Sequence, residues 1–200
     1  KARKIFTLRE PLSLIAAITP FNHPLNQVAH KLAPAIAAGA PLILKPSEKT
    51  PLTAVRLTEL LYEAGLPGHL LSCIHGGLDE ITRPLVRDER VDLVTFTGSA
   101  DTAAVLRVHP NIVRHSIPFN AEADSLNAAI LAPECTPDTP EFDLFIKEVA
   151  REMTVKAGQK CTAIRRAIVP TAMVEPVVEA VSARLAKVTV GNPAHDDVRM

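Results

Sequence analysis

The first hundred residues alternate between short apolar runs and segments of helical periodicity. The apolar runs predict buried strands over 13–19, 42–44, 70–74 and 91–96. Apolar spacing and helix-boundary residues predict helices over 24–38, 50–64 and 78–86, and a further helix that Ser99 caps. Because nearly continuous apolar strands alternate with helices, we expect an α/β fold with a parallel sheet covered by helices on both faces.

The regular alternation of apolar runs and helical segments ends at about residue 112. The pattern there predicts two strands, an exposed loop rich in Pro, Asp and Thr, a helix, an apolar segment and a last helix. The two predicted strands cover 113–119 and 128–131, and the loop covers 133–140. The helix covers 142–157, the apolar segment 164–169 and the last helix 173–187. We therefore expect a domain boundary near residue 123, which divides the chain into parts spanning 1–123 and 124–200.

The amino-acid composition argues against several classes of protein. Hydrophobic residues make up 47% and charged residues 22%, with 22 basic side chains against 22 acidic ones. This excludes a disordered chain, which combines low hydrophobicity with excess charge. It also argues against a partner that is nucleic acid or a membrane surface, because proteins that bind either usually carry a basic surplus. No apolar run approaches the roughly 20 residues of a membrane span.

The three cysteines, Cys73, Cys135 and Cys161, are odd in number and far apart. A disulfide framework is therefore not expected, and we expect a protein of a reducing compartment, the cytoplasm. Cys73 lies in an apolar strand and Cys135 in a Pro-rich loop, which favours structural roles for both. No paired Cys or His spacing occurs, so the sequence predicts no metal site.

Glycine is scarce, with 8 residues, and neither G-x-G-x-x-G nor G-x-x-x-x-G-K-[ST] occurs. Both motifs use glycine where a phosphate approaches the backbone closely. A nucleotide site in this chain must therefore bind phosphate without a glycine-rich loop of either kind.

Cys161 is a candidate nucleophile. It follows Gly158, which breaks the predicted helix, and three cationic residues lie close in sequence: Lys160, Arg165 and Arg166. Positive neighbours and irregular backbone raise the thiolate fraction of a cysteine. On residue type alone, however, a lone cysteine is more often an inert small hydrophobe.

Glu122 and Asn22 each follow a predicted strand. Glu122 is most simply a solvated loop residue, but in an apolar cleft beside a thiol it would act as a base toward water. Asn22 either caps the helix that begins near Pro24 or donates its amide to an oxyanion. The sequence alone leaves both alternatives open.

Further polar residues follow the second and fourth predicted strands. In doubly wound sheets, ligands bind beyond the carboxyl ends of the strands. Lys45 there would attract phosphate or hydroxyl groups, and Glu48 would suit a ribose diol. Ser99 at a helix start offers a hydroxyl and free N–H groups to a pyrophosphate. Ser47 and Gly98 face the same predicted crevice.

A series of short motifs in fixed order makes the chain similar to a known family. The motifs are Pro20-Phe21-Asn22, Lys31-Leu32-Ala33-Pro34-Ala35, Leu44-Lys45-Pro46-Ser47-Glu48, Ala64-Gly65-Leu66-Pro67, Phe96-Thr97-Gly98-Ser99, Gly158-Gln159-Lys160-Cys161 and Val190-Gly191-Asn192-Pro193. Over its whole length the chain resembles the NAD(P)-dependent aldehyde dehydrogenase superfamily.

The resemblance implies a Rossmann-like dinucleotide-binding domain followed by the start of a catalytic domain. It implies that Cys161 is the nucleophile, that Glu122 is the base, and that the Asn22 amide and the Cys161 N–H form the oxyanion hole. The implied cofactor-binding residues are Thr19, Pro20, Phe21, Lys45, Ser47, Glu48, Phe96, Thr97, Gly98 and Ser99. The implied partners are a small aldehyde and further copies of the chain in a homodimer or homotetramer. The implied cofactor is NAD or NADP, and Glu48 favours NAD because its charge repels a 2′-phosphate.

The chain departs from the family in three ways. Ala123-Asp124-Ser125 follows Glu122, where most members have Leu-Gly-Gly. The first half resembles phosphonoacetaldehyde-type and other small semialdehyde dehydrogenases. The second half, from about residue 100, resembles dehydrogenases of coenzyme-A-linked semialdehydes in aromatic degradation, so the alternatives are a chimera and an intermediate natural lineage. Full-length members are also considerably longer, which predicts a fragment.

Two alternative functions stay open at this stage. One is a non-catalytic dinucleotide-binding fragment, because regions of the family beyond this chain complete the active site. The other is a thiol hydrolase in which His195 serves as the base for Cys161.

Overall fold

The computed structural model describes residues 3–200. Clustering of the chain in space gives two compact units, one ending at Asp124 and the other spanning Ser125–Met200. Within residues 3–200, no helix combines the length and apolarity needed to cross a membrane.

The first unit is built on a five-stranded parallel sheet. Its strands are β1 (Ile15–Ile18), β2 (Leu42–Lys45), β3 (Leu71–Cys73), β4 (Leu93–Gly98) and β5 (Phe119–Ala123). They lie in the order β3-β2-β1-β4-β5, with every neighbouring pair parallel. The chain moves outward from β1 to β3 and then returns to the other side of β1, which is the doubly wound arrangement. The predicted fold class is confirmed.

Five helices cover the two faces of this sheet. They are α1 (Asn26–Ala38), α2 (Pro51–Glu63), α3 (Arg83–Arg87), α4 (Ala100–Arg107) and α5 (Pro110–Arg114). Ile15 and Ala17 of β1 belong to the core that α1 and α2 cover. Ala16 and Ile18 belong to the core that α3, α4 and α5 cover. Since both faces of β1 are buried, its sequence is a continuous apolar run.

Several helix boundaries follow the local rules. Gly39, with φ of 69°, ends α1 in the left-handed conformation that glycine adopts without strain. Pro51 occupies the first turn of α2, where its missing N–H costs nothing. The Ser99 hydroxyl accepts a hydrogen bond from the Thr102 N–H and caps α4, as predicted.

The strand predicted over 113–119 is wrong. Residues Pro110–Arg114 are helical and β5 begins only at Phe119. The His109 side chain accepts from the Asn111 N–H and caps the helix. Asn111 itself is buried, and its amide donates to the carbonyls of Val86 and Asp88 at 3.0 Å each. These polar contacts stabilise a helix where the local apolar pattern predicts a strand.

The helix predicted over 78–86 is also irregular. A π-helical turn spans Leu78–Thr82 and passes directly into α3.

The second unit contains a parallel pair of short strands and two long helices. The strands are β6 (Ala128–Ile130) and β7 (Arg166–Ile168), and the helices are α6 (Pro140–Thr154) and α7 (Val174–Leu185). Short 3-10 segments lie over Val155–Gly158 and Thr171–Met173. The core of this unit consists of Leu131, Phe142, Ile146, Met173 and Val177.

A buried lysine joins α1 to β4 in the first unit. Lys31 is only 8% exposed, and its Nζ donates to Thr95 Oγ1 at 3.0 Å and Thr97 Oγ1 at 2.9 Å. Burial lowers the pKa of Lys31 because it disfavours the charged amine, while the negative charge of Glu122 partly opposes that shift.

We expect this burial to give the stability a distinct pH dependence. In the folded protein the pKa of Lys31 lies below its ordinary value of 10.5. Between the two pKa values the unfolded chain holds a proton that the folded protein has lost. The free energy of unfolding of the wild type should therefore rise with pH relative to Lys31→Met as pH approaches 10.5.

Urea denaturation of both proteins from neutral pH upward measures this difference. The matched control is Lys147→Met, which removes an exposed lysine from α6. The lowered pKa of Lys31 is contradicted if the difference in free energy of unfolding between wild type and Lys31→Met varies with pH no more than the difference between wild type and Lys147→Met.

Candidate active site

The carboxyl ends of three central strands meet at one edge of the five-stranded sheet. In the parallel register, Ile18 at the end of β1 lies beside Lys45 of β2 and Phe96 of β4. The Thr19 N–H donates to the Lys45 carbonyl at 3.1 Å and carries this alignment past the end of the strand. The strand order reverses between β1 and β4, which is where doubly wound sheets bind nucleotides.

Lys45 and Glu48 form an ion pair at the end of β2. The Lys45 Nζ lies 2.9 Å from Glu48 Oε1, and the two side chains are 8% and 57% exposed. The amine is thus held inside the fold, and the carboxylate that it orients faces solvent. Ser47 lies between them in sequence, and its Oγ accepts from the Lys49 N–H at 3.3 Å.

The segment after β1 is held by contacts to Phe21. The Lys49 Nζ lies 5.0 Å from the centre of the Phe21 ring, and Thr50 Oγ1 donates to the Phe21 carbonyl at 3.3 Å. Asn22 is half-buried. Its interpretation as the cap of the next helix is wrong, because α1 begins at Asn26 and the residue at its N-cap is Leu25.

The Thr19 hydroxyl is buried, and it finds no hydrogen-bond partner within residues 3–200. A buried polar oxygen without a partner costs free energy unless a ligand or water satisfies it. Its position at the end of β1 therefore fits a polar ligand at this edge.

The end of β4 is shaped by Gly98. A Cβ added there would lie 2.6 Å from Cζ of Phe96, so a larger residue would displace that ring. Beyond it, the Ala100 N–H at the start of α4 donates to Asp124 Oδ2 at 3.1 Å. The sequence led us to expect free N–H groups at this helix start, and in this chain Asp124 takes one of them.

Asp124 has φ of 47°, a left-handed conformation. It stands where the family resemblance predicts the first glycine of Leu-Gly-Gly. Aspartate tolerates this conformation better than most side chains do. The backbone geometry that favours glycine is therefore retained here, with a carboxylate added.

Glu122 lies near the end of β5, the edge strand of the sheet, and its side chain is exposed. The β4–β5 register places it beside Thr97, which accepts the hydrogen bond from Lys31. Its negative charge partly opposes the lowering of the Lys31 pKa that burial causes.

Cys161 lies in the second unit, just after the 3-10 segment that follows α6, and it is exposed. This exposure argues against its interpretation as an inert small hydrophobe. Cys73 and Cys135 are half-buried, and burial raises the pKa of the Cys73 thiol. Cys161 is thus the accessible thiol of the three.

The charges near Cys161 differ from the expected pattern. The Lys160 Nζ lies 2.8 Å from Glu152 Oε1 of α6, so this cation is paired rather than free beside the thiol. Arg165 and Arg166 donate to backbone carbonyls.

Two residues with long-range contacts near the predicted site residues were not identified as functional candidates from the sequence. Lys31 entered only as part of a motif, and Asn127, whose amide binds the Cys161 carbonyl, was not singled out. Both contacts join residues far apart in the chain, which no local pattern reveals. Among residues 3–200 there is no group of three or more His, Cys, Asp or Glu side chains that could hold a metal ion.

Comparison with known proteins extends this picture. Residues 1–200 match the model of the aldehyde dehydrogenase family. The 3,4-dehydroadipyl-CoA semialdehyde dehydrogenase of Aromatoleum evansii is 47% identical over 196 residues, which cover 95% of this chain and 37% of that protein. The 3-sulfolactaldehyde dehydrogenase of Priestia aryabhattai is 35% identical over 191 residues, covering 96% and 38%.

Solved structures agree with the sequence matches. The betaine aldehyde dehydrogenase of Staphylococcus aureus, solved in complex with NAD+, superposes with a TM-score of 0.87 at 32% identity and covers 96% of this chain and 36% of that one. The chain thus spans less than two fifths of the length of each of these three proteins. The resemblance read from its motifs is confirmed, and the chain belongs to the aldehyde dehydrogenase family.

Proposed function

We propose that the protein carrying this chain is an NAD(P)-dependent dehydrogenase that oxidises a semialdehyde to the carboxylic acid through a covalent intermediate on Cys161. The observation that carries the proposal is the exposed Cys161 thiol, within the motif Gly158-Gln159-Lys160-Cys161, in a chain that matches the aldehyde dehydrogenase family throughout. An exposed thiol outside the apolar core has no evident packing role.

Cys161 acts as the nucleophile in this proposal. Its thiolate attacks the aldehyde carbon and forms a thiohemiacetal, whose oxygen carries negative charge. The side-chain amide of Asn22 and the Cys161 N–H donate hydrogen bonds to that oxygen. Removing one such donor typically costs about 2.7–4 kcal/mol of transition-state stabilisation.

Glu122 acts as the base in the second half of the reaction. A bound NAD(P)+ would supply the acceptor for the hydride that leaves the substrate carbon. The thioester then left on Cys161 is attacked by a water molecule that Glu122 deprotonates, which releases the carboxylic acid and the free thiol. A base at this position favours hydrolysis over transfer of the acyl group to coenzyme A.

The residues at the sheet edge fit a dinucleotide. Thr19 has a buried hydroxyl that needs a partner, and Lys45 and Glu48 offer a cation and a carboxylate to ribose hydroxyls. The other residues proposed to line the site are Pro20, Phe21, Ser47, Phe96, Thr97, Gly98 and Ser99. Support comes from the Staphylococcus aureus relative, which was solved with NAD+. We propose the unit ending near residue 123 as the dinucleotide-binding domain, and 124–200 as the beginning of the catalytic domain.

We propose that the substrate is an anionic semialdehyde, with coenzyme-A-linked semialdehydes of aromatic degradation as one group to test. The support is the printed activity of relatives, among them the semialdehyde dehydrogenase of Aromatoleum evansii at 47% identity. We further propose a cytoplasmic homodimer or homotetramer, as the resemblance implies.

A second candidate function is dinucleotide binding without turnover by the 200 residues alone. It is favoured by the coverage of only 37% of a relative's length, together with the five-stranded parallel sheet of the first unit. Calorimetry with NAD+ on the isolated chain separates the two: binding without NADH formation supports this candidate, and turnover excludes it.

Replacing the nucleophile is the direct kinetic test of the proposal. Cys161→Ala in the complete protein should reduce NAD(P)H formation with semialdehydes by at least about a thousandfold, as removal of a nucleophile does in other enzymes. The matched control is Cys135→Ala, which removes a half-buried thiol from the same unit and should leave the rate unchanged. Undiminished turnover in Cys161→Ala eliminates the proposed mechanism.

Cofactor choice gives a second test, at Glu48. Its exposed carboxylate should disfavour the 2′-phosphate of NADP by about 1 kcal/mol, the repulsion of two unit charges 4 Å apart in water. Glu48→Gln should therefore lower the ratio of kcat/KM with NAD to kcat/KM with NADP by on the order of fivefold.

Steady-state kinetics with both cofactors measures this ratio. Glu59→Gln, at an exposed position of α2, is the control. A wild type that prefers NADP, or a ratio that Glu48→Gln leaves unchanged, contradicts the assignment.

A further inference from the structure

The backbone just before Cys161 follows an uncommon path. Lys156, Ala157 and Gly158 have φ of 54°, 53° and 70°, three left-handed residues in succession. Residues with a Cβ seldom adopt this conformation, so a run of it persists only where other contacts impose it. Donors supplied by Asn127 and Arg165 bind this stretch and the residues after it.

Asn127 binds the carbonyl of Cys161 itself. Its Nδ2 donates to the Cys161 carbonyl at 2.6 Å and to the Ala163 carbonyl at 3.2 Å. Carbonyl oxygens only accept hydrogen bonds, so the amide nitrogen must face them. The Asn127 carbonyl in turn accepts from the N–H groups of Arg165 and Arg166, at 2.8 and 3.1 Å. Side chain and backbone of one residue thus hold both ends of the segment 161–166.

Arg165 binds the carbonyls on the other side of Cys161. Its Nη2 donates to the Gly158 carbonyl at 2.8 Å and to the Lys160 carbonyl at 3.4 Å. In a trans peptide the carbonyl of one residue and the N–H of the next point in opposite directions. A donor on the Lys160 carbonyl therefore turns the Cys161 N–H away from Arg165.

The two donors together restrain the backbone at Cys161. The peptide planes 160–161 and 161–162 meet at its Cα, and each plane carries a carbonyl that one of these side chains binds. Fixing both planes fixes φ and ψ of Cys161, which sets the directions of its N–H and of its Cα–Cβ bond. The Lys160–Glu152 ion pair, with side chains 14% and 16% exposed, adds a third restraint from α6.

We propose that Asn127 and Arg165 are positioning residues that hold the Cys161 thiol and its N–H in the orientation that attack and oxyanion binding require. This inference rests on the proposed role of Cys161 as the nucleophile. Neither residue touches the reacting atoms in this proposal, because both act through the backbone of Cys161.

The test uses the complete protein and Asn127→Ala. Both kcat and the single-turnover rate of NAD(P)H formation should fall about tenfold to hundredfold, since displacing a reacting group by about 1 Å has effects of this size. KM for the dinucleotide should stay within about twofold, because binding does not involve this segment. A residue that only supports folding would not separate kcat from KM in this way.

Two further variants test the hydrogen-bond donors, and a third is a control. Asn127→Asp keeps the shape but replaces the NH2 group, with both its N–H donors, by a carboxylate oxygen that repels the carbonyls, so its kcat should fall at least as far as that of Asn127→Ala. Arg165→Lys keeps the charge but loses the planar fork of donors, and its kcat should fall in the same direction. Asn192→Ala is the control, because the Asn192 side chain accepts from the nearby Ala194 N–H.

The outcomes separate this inference from the proposed function. Unchanged kcat in Asn127→Ala and Arg165→Lys, with Cys161→Ala inactive, overturns the positioning role and leaves the nucleophile in place. Equal losses of kcat and dinucleotide affinity in both variants show a general folding defect and also overturn it. Turnover that survives in Cys161→Ala instead overturns the proposed function. If Asn127→Ala does not fold, the kcat of Arg165→Lys decides between the first two results.

Discussion

The sheet edge depends on the burial and pairing of four residues, Ile15–Ile18 of β1. All four are buried, and each pairs in parallel register with both β2 and β4. Side chains alternate between the two cores, so a slip of one residue would exchange the faces of the whole strand. The register is therefore strongly determined, and it aligns the ends of three strands at the edge where Lys45 and Gly98 lie. A dinucleotide site without a glycine-rich loop needs such an alignment, because its contacts come from several strand ends.

Each of these strand ends contributes a different kind of group. Thr19 supplies a buried hydroxyl, Lys45 and Glu48 supply an oriented ion pair, and the start of α4 supplies N–H groups. Asp124 occupies one of those N–H groups in a left-handed conformation. A carboxylate near a helix N-terminus stabilises the helix by about 0.3–1 kcal/mol. The same charge lowers the attraction of this end of α4 for an anion.

Much of the architecture is readable from the sequence, because buried parallel strands are continuous apolar runs bounded by Gly, Pro and Ser. β1, α1 and the Ser99 cap illustrate this. The strand predicted over 113–119 was wrong, since Val113 belongs to a helix that the Asn111 amide anchors to distant carbonyls, and β5 begins only at Phe119. The candidate nucleophile was found from its motif and neighbours. The partners of Lys31 and Asn127 were not, because hydrogen bonds between residues dozens of positions apart leave no periodic pattern.

In the second unit, the conformation around Cys161 has a cost that tertiary contacts offset. Each left-handed residue with a Cβ costs about 1–2 kcal/mol, and two such residues precede Gly158. The hydrogen bonds from Asn127 and Arg165 hold this path, and the charge of Lys160 is directed to Glu152. The local sequence thus supplies an accessible thiol on a restrained backbone, as a nucleophile requires.

In the proposed mechanism the substrate carbon becomes covalently bonded to the Cys161 sulfur. Trypsin cleaves after Lys160 and Arg165, so this sulfur lies in the short peptide Cys161–Arg165. Mass spectrometry of that peptide, from Glu122→Gln protein quenched during turnover with a semialdehyde and NAD(P)+, detects this bond. We expect the peptide to carry the mass of the acyl group, because the thioester accumulates when its hydrolysis lacks a base. An unmodified peptide from protein that is forming NAD(P)H at the wild-type rate would contradict the account.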